Sequence, residues 1–226
     1  MKILSYLGYL FLALTIISCS ANSGGTEAEV SEAKEVQDVE ATVSYNIVTD
    51  NSKVGWIGTK PTGQHIGYIP ISMGTIKLKD DQIVGGTITM DVANIQNEDL
   101  ADKPESQEKL INHLKSDDFF HADSFPTAEF VITSVEAYNI EDKPEGKEQF
   151  QSEYTPASAD EFVVESPTHT ITGNLTMRGK TLSVAFPANV KINEDEIIAK
   201  AKFNIDRTNW GLMYGDEASV VDKTKD

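Results

Sequence analysis

Apolar and polar positions alternate with a period of two along most of the chain. From Tyr45 onward the stretches YNIVT, KVGWIGT and GTIKLKDDQIVGGTITMDV set β-branched and aromatic residues between Gly, Asp and Asn, the signature of half-buried strands. Within them LKDDQI predicts a hairpin turn flanked by Leu78 and Ile83. The alternation is clearest near the end of the chain. Leu182, Val184, Phe186, Ala188, Val190 and Ile192 occupy every second position, and Ile197, Ala199, Ala201, Phe203 and Ile205 repeat the pattern after NEDE. Two adjacent runs of this kind predict a long antiparallel hairpin with one buried face per strand, leaving Lys191, Lys200 and Lys202 on the wet face.

A single segment departs from this period. In SQEKLINHLKSDDFF, Leu110, Ile111 and Leu114 fall at helical spacing, with Phe119 after them, and Ser106 is the candidate N-cap. Pro126 then introduces a further strand, TAEFVITSV, in which Phe130 and Ile132 alternate inward. Residues 139–167 are rich in Pro and charge and predict a long hairpin loop or insertion. Many strands, one inserted helix and no βαβ repeat place the chain in the mainly β class, as an antiparallel barrel or sandwich. A closed barrel of about eight strands has no edges and leaves room for one small ligand.

The N-terminal end has a different composition. One lysine precedes an uncharged, mostly apolar run from Ile3 to Ile17, which is shorter than the roughly 20 residues of a membrane span and reads as a signal peptide over 1–18. Cys19, the only cysteine of the 226 residues, follows in the context IISC-S. This resembles a bacterial lipobox, whose cysteine becomes the lipidated first residue of the mature chain. Residues 19–43 are small, polar and acidic, and predict a disordered tether behind that anchor. A barrel domain over 44–215 and a tail over 216–226 complete the expected organisation. Removing the leader takes away Lys2 and none of the 36 acidic residues, so the net charge of −17 falls to about −18. A chain this acidic lacks the basic face that nucleic acid requires.

The densest chemistry lies in HLKSDDFFHADSFPTAEF, residues 113–130, where His113, Asp117, Asp118, His121 and Asp123 crowd together. A helix would align His113 with Asp117. The remaining members fall where that helix ends, and the block carries neither an H-x-x-x-H pair nor a cysteine ligand. The better reading makes the aspartates turn formers and Phe119, Phe120 and Phe125 plugs of the barrel. His65 and His169 stand isolated, and no serine elbow, P-loop or dinucleotide fingerprint is present. No catalytic residue, metal site or cofactor is therefore assigned. In DRTNWG, residues 206–211, Trp210 is expected to close one end of the barrel, with Arg207 beside a carboxylate or, in the alternative, at a polar lipid headgroup.

Four blocks, GTKPTGQHIGYIPISMGTIKL, HLKSDDFFHADSFPTAEFVIT, HTITGNLTMRGKTLSVAFPANV and FNIDRTNWGLMYG, together resemble the YceI-like family over roughly residues 44–215. The resemblance implies a lipocalin-like extended antiparallel barrel with a helix packed by it. It also implies an apolar cavity for an isoprenoid or other long-chain lipid, and export to the bacterial envelope. The loop over 139–167 is longer than is usual in that family.

On this reading the ligand-facing positions are Trp56, Ile88, Met90, Phe130, Ile132, Leu175, Met177, Val184, Phe186, Ala201 and Phe203, with Cys19 as the lipidation site. Small residues among them (Ala188, Ala199, Ala201, Gly173 and Gly86) are expected to leave the space. Burying ten methylenes is worth about 8 kcal/mol before ordering costs. The expected protein is a lipid-anchored, periplasm-facing carrier of an apolar chain. The alternatives are a structural or stress-related interaction module with a filled barrel, and an enzyme acting on a lipid.

Overall fold

The computed structural model describes residues 23–60, 63–142, 146–149, 166–193 and 196–214. The expected signal peptide, Cys19, the tail and most of the 139–167 loop lie outside these residues. The strands are β1 (Ser23–Glu27), β2 (Glu29–Glu32), β3 (Val43–Asn46), β4 (Lys53–Lys60), β5 (Gly63–Lys79), β6 (Gln82–Asp91) and β7 (Gln96–Asn97). After the helix α1 (Pro104–Lys115) come β8 (Thr127–Ala137), β9 (Gly146–Gln149), β10 (His169–Met177), β11 (Lys180–Ile192), β12 (Ile197–Ala201) and β13 (Phe203–Asn204).

Local sequence accounts for the turns and the helix. Asp80 and Asp81, with φ of 50° and 59°, make the tight turn from β5 to β6, the left-handed pair that two-residue hairpins favour. Arg178 (φ 49°) and Gly179 (φ 73°) do the same between β10 and β11. The helix begins two residues before the expected Ser106 cap. Pro104 takes the first turn, and Lys103 stands at the N-cap without a side-chain bond; proline's fixed φ and missing N–H suit that place.

The main sheet runs β12–β11–β10–β8–β6–β5–β3, with β2 on β11 and with β4 and β7 on β5. A second, three-stranded sheet runs β13–β1–β9. The fold is mainly β with one α-helix, as expected, but the closed lipocalin-like barrel is not found. Among the described residues the end strands β12 and β3 do not pair with each other. Two features keep them apart. The 17-residue β5 changes partners at a bulge between Ile71 and Met73, its first half pairing with β4 and β7 and its second with β6 and β3. At the other end, the edge of β11 is divided between β12 and β2.

That division also corrects the expected long hairpin. The β11–β12 ladder stops at Ala188 opposite Ala201, and β13 leaves to pair in parallel with β1. Residues 29–32 fill the vacated edge over Leu182–Ala185. Alternation placed Ala199 and Ala201 inside, yet both are exposed, because β12 has a neighbour on one side only.

Residues 23–27 and 29–32 belong to the segment expected as a tether, and they are docked strands here. Beyond β2 the main chain of Lys34 is clasped by the Asn174 side chain: its N–H donates to Oδ1 at 2.9 Å, and Nδ2 donates to its carbonyl at 2.7 Å. Asn174 lies on the face of β10 turned away from the core, where Thr172 and Ser183 are also buried. The chain thus runs as a strap across that face towards β3, where the Thr42 N–H donates to the Leu78 carbonyl.

Candidate functional site

The core-facing side of β6, β8, β10 and β11 forms one continuous apolar surface. Leu175 lies between Phe130 and Leu182, and Gly173 between Ile132 and Val184, while Ile88 faces Phe130 from β6. Registers of this kind put alternate residues of neighbouring strands on one side. Of the expected ligand-facing residues, Met90, Phe130, Ile132, Leu175, Met177, Val184 and Phe186 are buried in a single cluster. Trp56, Ile88 and Phe203 are half-buried against it. Ala201 is exposed on β12 and does not join them.

The interior is packed around its glycines. A Cβ on Gly173 would lie 2.7 Å from Cε2 of Phe130 and 2.7 Å from the Val131 carbonyl oxygen. The space expected beside Gly173 is therefore taken by the Phe130 ring. A Cβ on Gly86 would meet the Thr75 carbonyl oxygen at 2.6 Å, with Ile76 and Ile132 next to it. Phe186 continues the packing, 5.7 Å from Phe130 and stacked on Phe203 at 4.0 Å between centroids.

The two ends of this apolar layer differ. At the β5–β6 turn, a cleft of about 150 Å³ opens between Ile83, Val135 and Ile192, with Asp81 and His169 at its rim. Its volume is below the roughly 300–1,000 Å³ of drug-sized ligand pockets. The opposite end is sealed. Trp210 is buried, and its Nε1 donates to the Leu175 carbonyl at 3.0 Å, so it covers this end of the apolar layer where a barrel end was expected. Arg178 donates to the carbonyls of Asp117, Phe119 and Gly211 at 3.0, 2.6 and 2.8 Å. Among the described residues Arg207 meets no carboxylate; it donates to the carbonyls of Leu212 and Tyr214 and sits 5.3 Å from the Phe119 ring centre.

The dense acidic and histidine block resolves into parts of this seal. His113 reaches Asp118 at 3.2 Å and packs edge-on against Phe119 and Tyr214. His121, at φ 50°, instead meets Ser124 at 3.0 Å. Asp117, Asp118 and Asp123 are exposed. Asp117 contributes its main-chain carbonyl to Arg178, so a guanidinium holds the junction where aspartate side chains were expected to. Among the described residues no group of three or more His, Cys, Asp or Glu side chains is placed to hold a metal ion.

Two arrangements escaped the sequence reading. Nδ1 of His65 lies 2.8 Å from Asp99, whose other oxygen accepts from the Ile66 N–H at 2.8 Å and from Asn97 Nδ2 at 2.6 Å. The network ties β5 to the chain after β7, and its partners are 34 residues apart with no local pattern joining them. Arg178 was equally silent, since its neighbours in sequence reveal nothing of the three carbonyls it gathers.

A family model described as "YceI-like domain" matches residues 45–225. Among solved structures, Burkholderia cenocepacia BcnA is similar at 21% identity and a TM-score of 0.46, covering 70% of this chain and 79% of its own. The Campylobacter jejuni YCEI protein is similar at 14% identity and a TM-score of 0.40, with 84% of each chain covered. No curated protein matches the chain.

Proposed function

The chain belongs to the YceI-like family, and from that membership we propose that it binds an isoprenoid or similar long apolar chain. The observation that carries this reading is the continuous apolar surface of β6, β8, β10 and β11, which is sealed at the Trp210 end and cleft at the other. A chain entering between Ile83 and Ile192 passes Asp81, Gln82 and His169 at the mouth, and each methylene it buries against the apolar residues behind them contributes about 0.8 kcal/mol. The cleft of about 150 Å³ holds only the leading part of such a ligand. Fuller binding displaces side chains deeper in the layer, and Met90 and Met177 at its sealed end repack most readily because they are unbranched thioethers. Asp81 and His169 then lie where a polar headgroup would emerge. No covalent step is part of this reading.

The second reading, a filled module that binds partners through its surface, is favoured by the Phe130 ring packed against Gly173. Native mass spectrometry of protein gently extracted from its own host separates the two. A co-purifying apolar chain near one per protein supports carriage; repeated absence of lipid favours the filled module. For cellular placement, the proposed anchor is Cys19 on the periplasmic side of the envelope. Cys19→Ser is expected to move the protein from the membrane fraction to the soluble one, and retention in the membrane fraction refutes the anchor.

A further inference from the structure

We propose that β2 is an exchangeable strand, competing with residues 203–205 for one edge of β11. The evidence is a double claim on the same residues. Continuing the β11–β12 ladder past Ala188 opposite Ala201 would set Phe203 opposite Phe186, Asn204 opposite Ala185 and Ile205 opposite Val184. In the structure those places belong to the N-terminal segment, with Glu29 opposite Ala185 and Val30 opposite Val184. Val30 and Ile205 are both half-buried against the core cluster, so each offers Val184 a β-branched aliphatic neighbour. Phe203 has left the ladder, yet its ring still stacks on Phe186 at 4.0 Å and an interplanar angle of 13°. The departed strand thus stays beside the position it would reoccupy.

The balance between the two pairings rests on identifiable contacts. The four-residue β2 holds the edge, and the Asn174 clasp on Lys34 holds β2. What the departed strand gains is a two-residue parallel pairing with β1, a geometry slightly weaker per residue than antiparallel pairing. In the exchanged state β2 leaves, residues 203–205 extend β12 along β11, and the strap from Lys34 to Thr42 is released. The hydrophobic alternation over 197–205 fits that state, and the apolar Ala28 and Val30 within an otherwise acidic segment fit the observed one. The exchange converts a docked N-terminal segment into a free one, and so sets how closely the domain is held to whatever its N-terminus is attached to. It does not depend on the ligand proposed above.

Cysteine pairs in a Cys19→Ser chain read out the exchange, because a disulfide requires the Cα–Cα approach found between paired strands. Glu29→Cys with Ala185→Cys reports the observed state, and Asn204→Cys with Ala185→Cys reports the exchanged one. In the unperturbed chain the first pair is expected to oxidise faster. Two perturbations test the competition: Val30→Pro, which disfavours a place in the ladder, and deletion of residues 20–34, which removes β2 together with β1, the partner of residues 203–204. Each is expected to raise the 204–185 rate about tenfold, the factor that ~1.4 kcal/mol of lost competing pairing gives. An unchanged 204–185 rate in the deleted chain overturns the proposal. Loss of the cooperative unfolding transition in that chain overturns it too, since an exchangeable strand leaves a folded domain behind.

Discussion

Replacing Gly173 by alanine tests the packing of the apolar layer at its tightest point. The added methyl would stand 2.7 Å from both Phe130 Cε2 and the Val131 carbonyl oxygen. A ring can turn aside, but a carbonyl within the β8–β10 ladder cannot move without breaking pairing, and this ladder already shifts register at Thr172 and Gly173. Overpacking of this kind costs about 1–3 kcal/mol. Against it stands a gain of about 0.4–1 kcal/mol from the less flexible unfolded chain. The expected net loss is therefore about 1–2 kcal/mol, or roughly 2–8 °C in Tm for a domain of this size. Gly58→Ala is the control, because its methyl would meet only Trp56, at 3.7 Å, and it should change stability by less than about 0.5 kcal/mol. Denaturant titration of both variants gives the difference. Adding Phe130→Leu, which shortens the ring that occupies the space, should recover part of the Gly173→Ala loss as a coupling of at least ~0.5 kcal/mol. A neutral Gly173→Ala together with an additive cycle would refute the packed interior and leave room for a hollow one.

Trp210→Phe removes the donor to the buried Leu175 carbonyl and should cost about 1–3 kcal/mol by chemical denaturation; a neutral result would mean that Trp210 does not hold the seal. Asp117→Ala and Asp118→Ala remove exposed side chains, the second with its 3.2 Å contact to His113, and should each stay within about 0.5 kcal/mol of the parent in a thermal melt. A loss above that range would restore the turn-forming role that the bare sequence assigns them.

Much of the architecture was legible because side-chain periodicity is a local property. The alternations over Leu182–Ile192 and Thr127–Val135 located β11 and β8, and the spacing of Leu110, Ile111 and Leu114 located α1. The four family blocks were legible as short runs, and ten of the eleven expected ligand-facing residues pack in or against one cluster because a strand's inward face follows from its parity. Ala201 failed for a reason parity does not contain: it points the expected way on a strand with nothing beyond it. The acidic block misled for a related reason. Charge density along the chain does not reveal which groups face one another, and the guanidinium that organises this junction lies about sixty residues further on.

Local patterning therefore marked the main strands from Tyr45 onward, their apolar sides, the single helix and the family blocks, and it missed β1 and β2 within the acidic segment. Which edges meet is settled by long-range pairing. Backbone hydrogen bonding is nearly blind to side-chain identity, so on the proposed exchange both Glu29–Val30 and Asn204–Ile205 serve as partners for Val184–Ala185, and no local pattern ranks them. That choice, with the change of partners along β5, left the sheet open where alternation alone was compatible with a closed barrel.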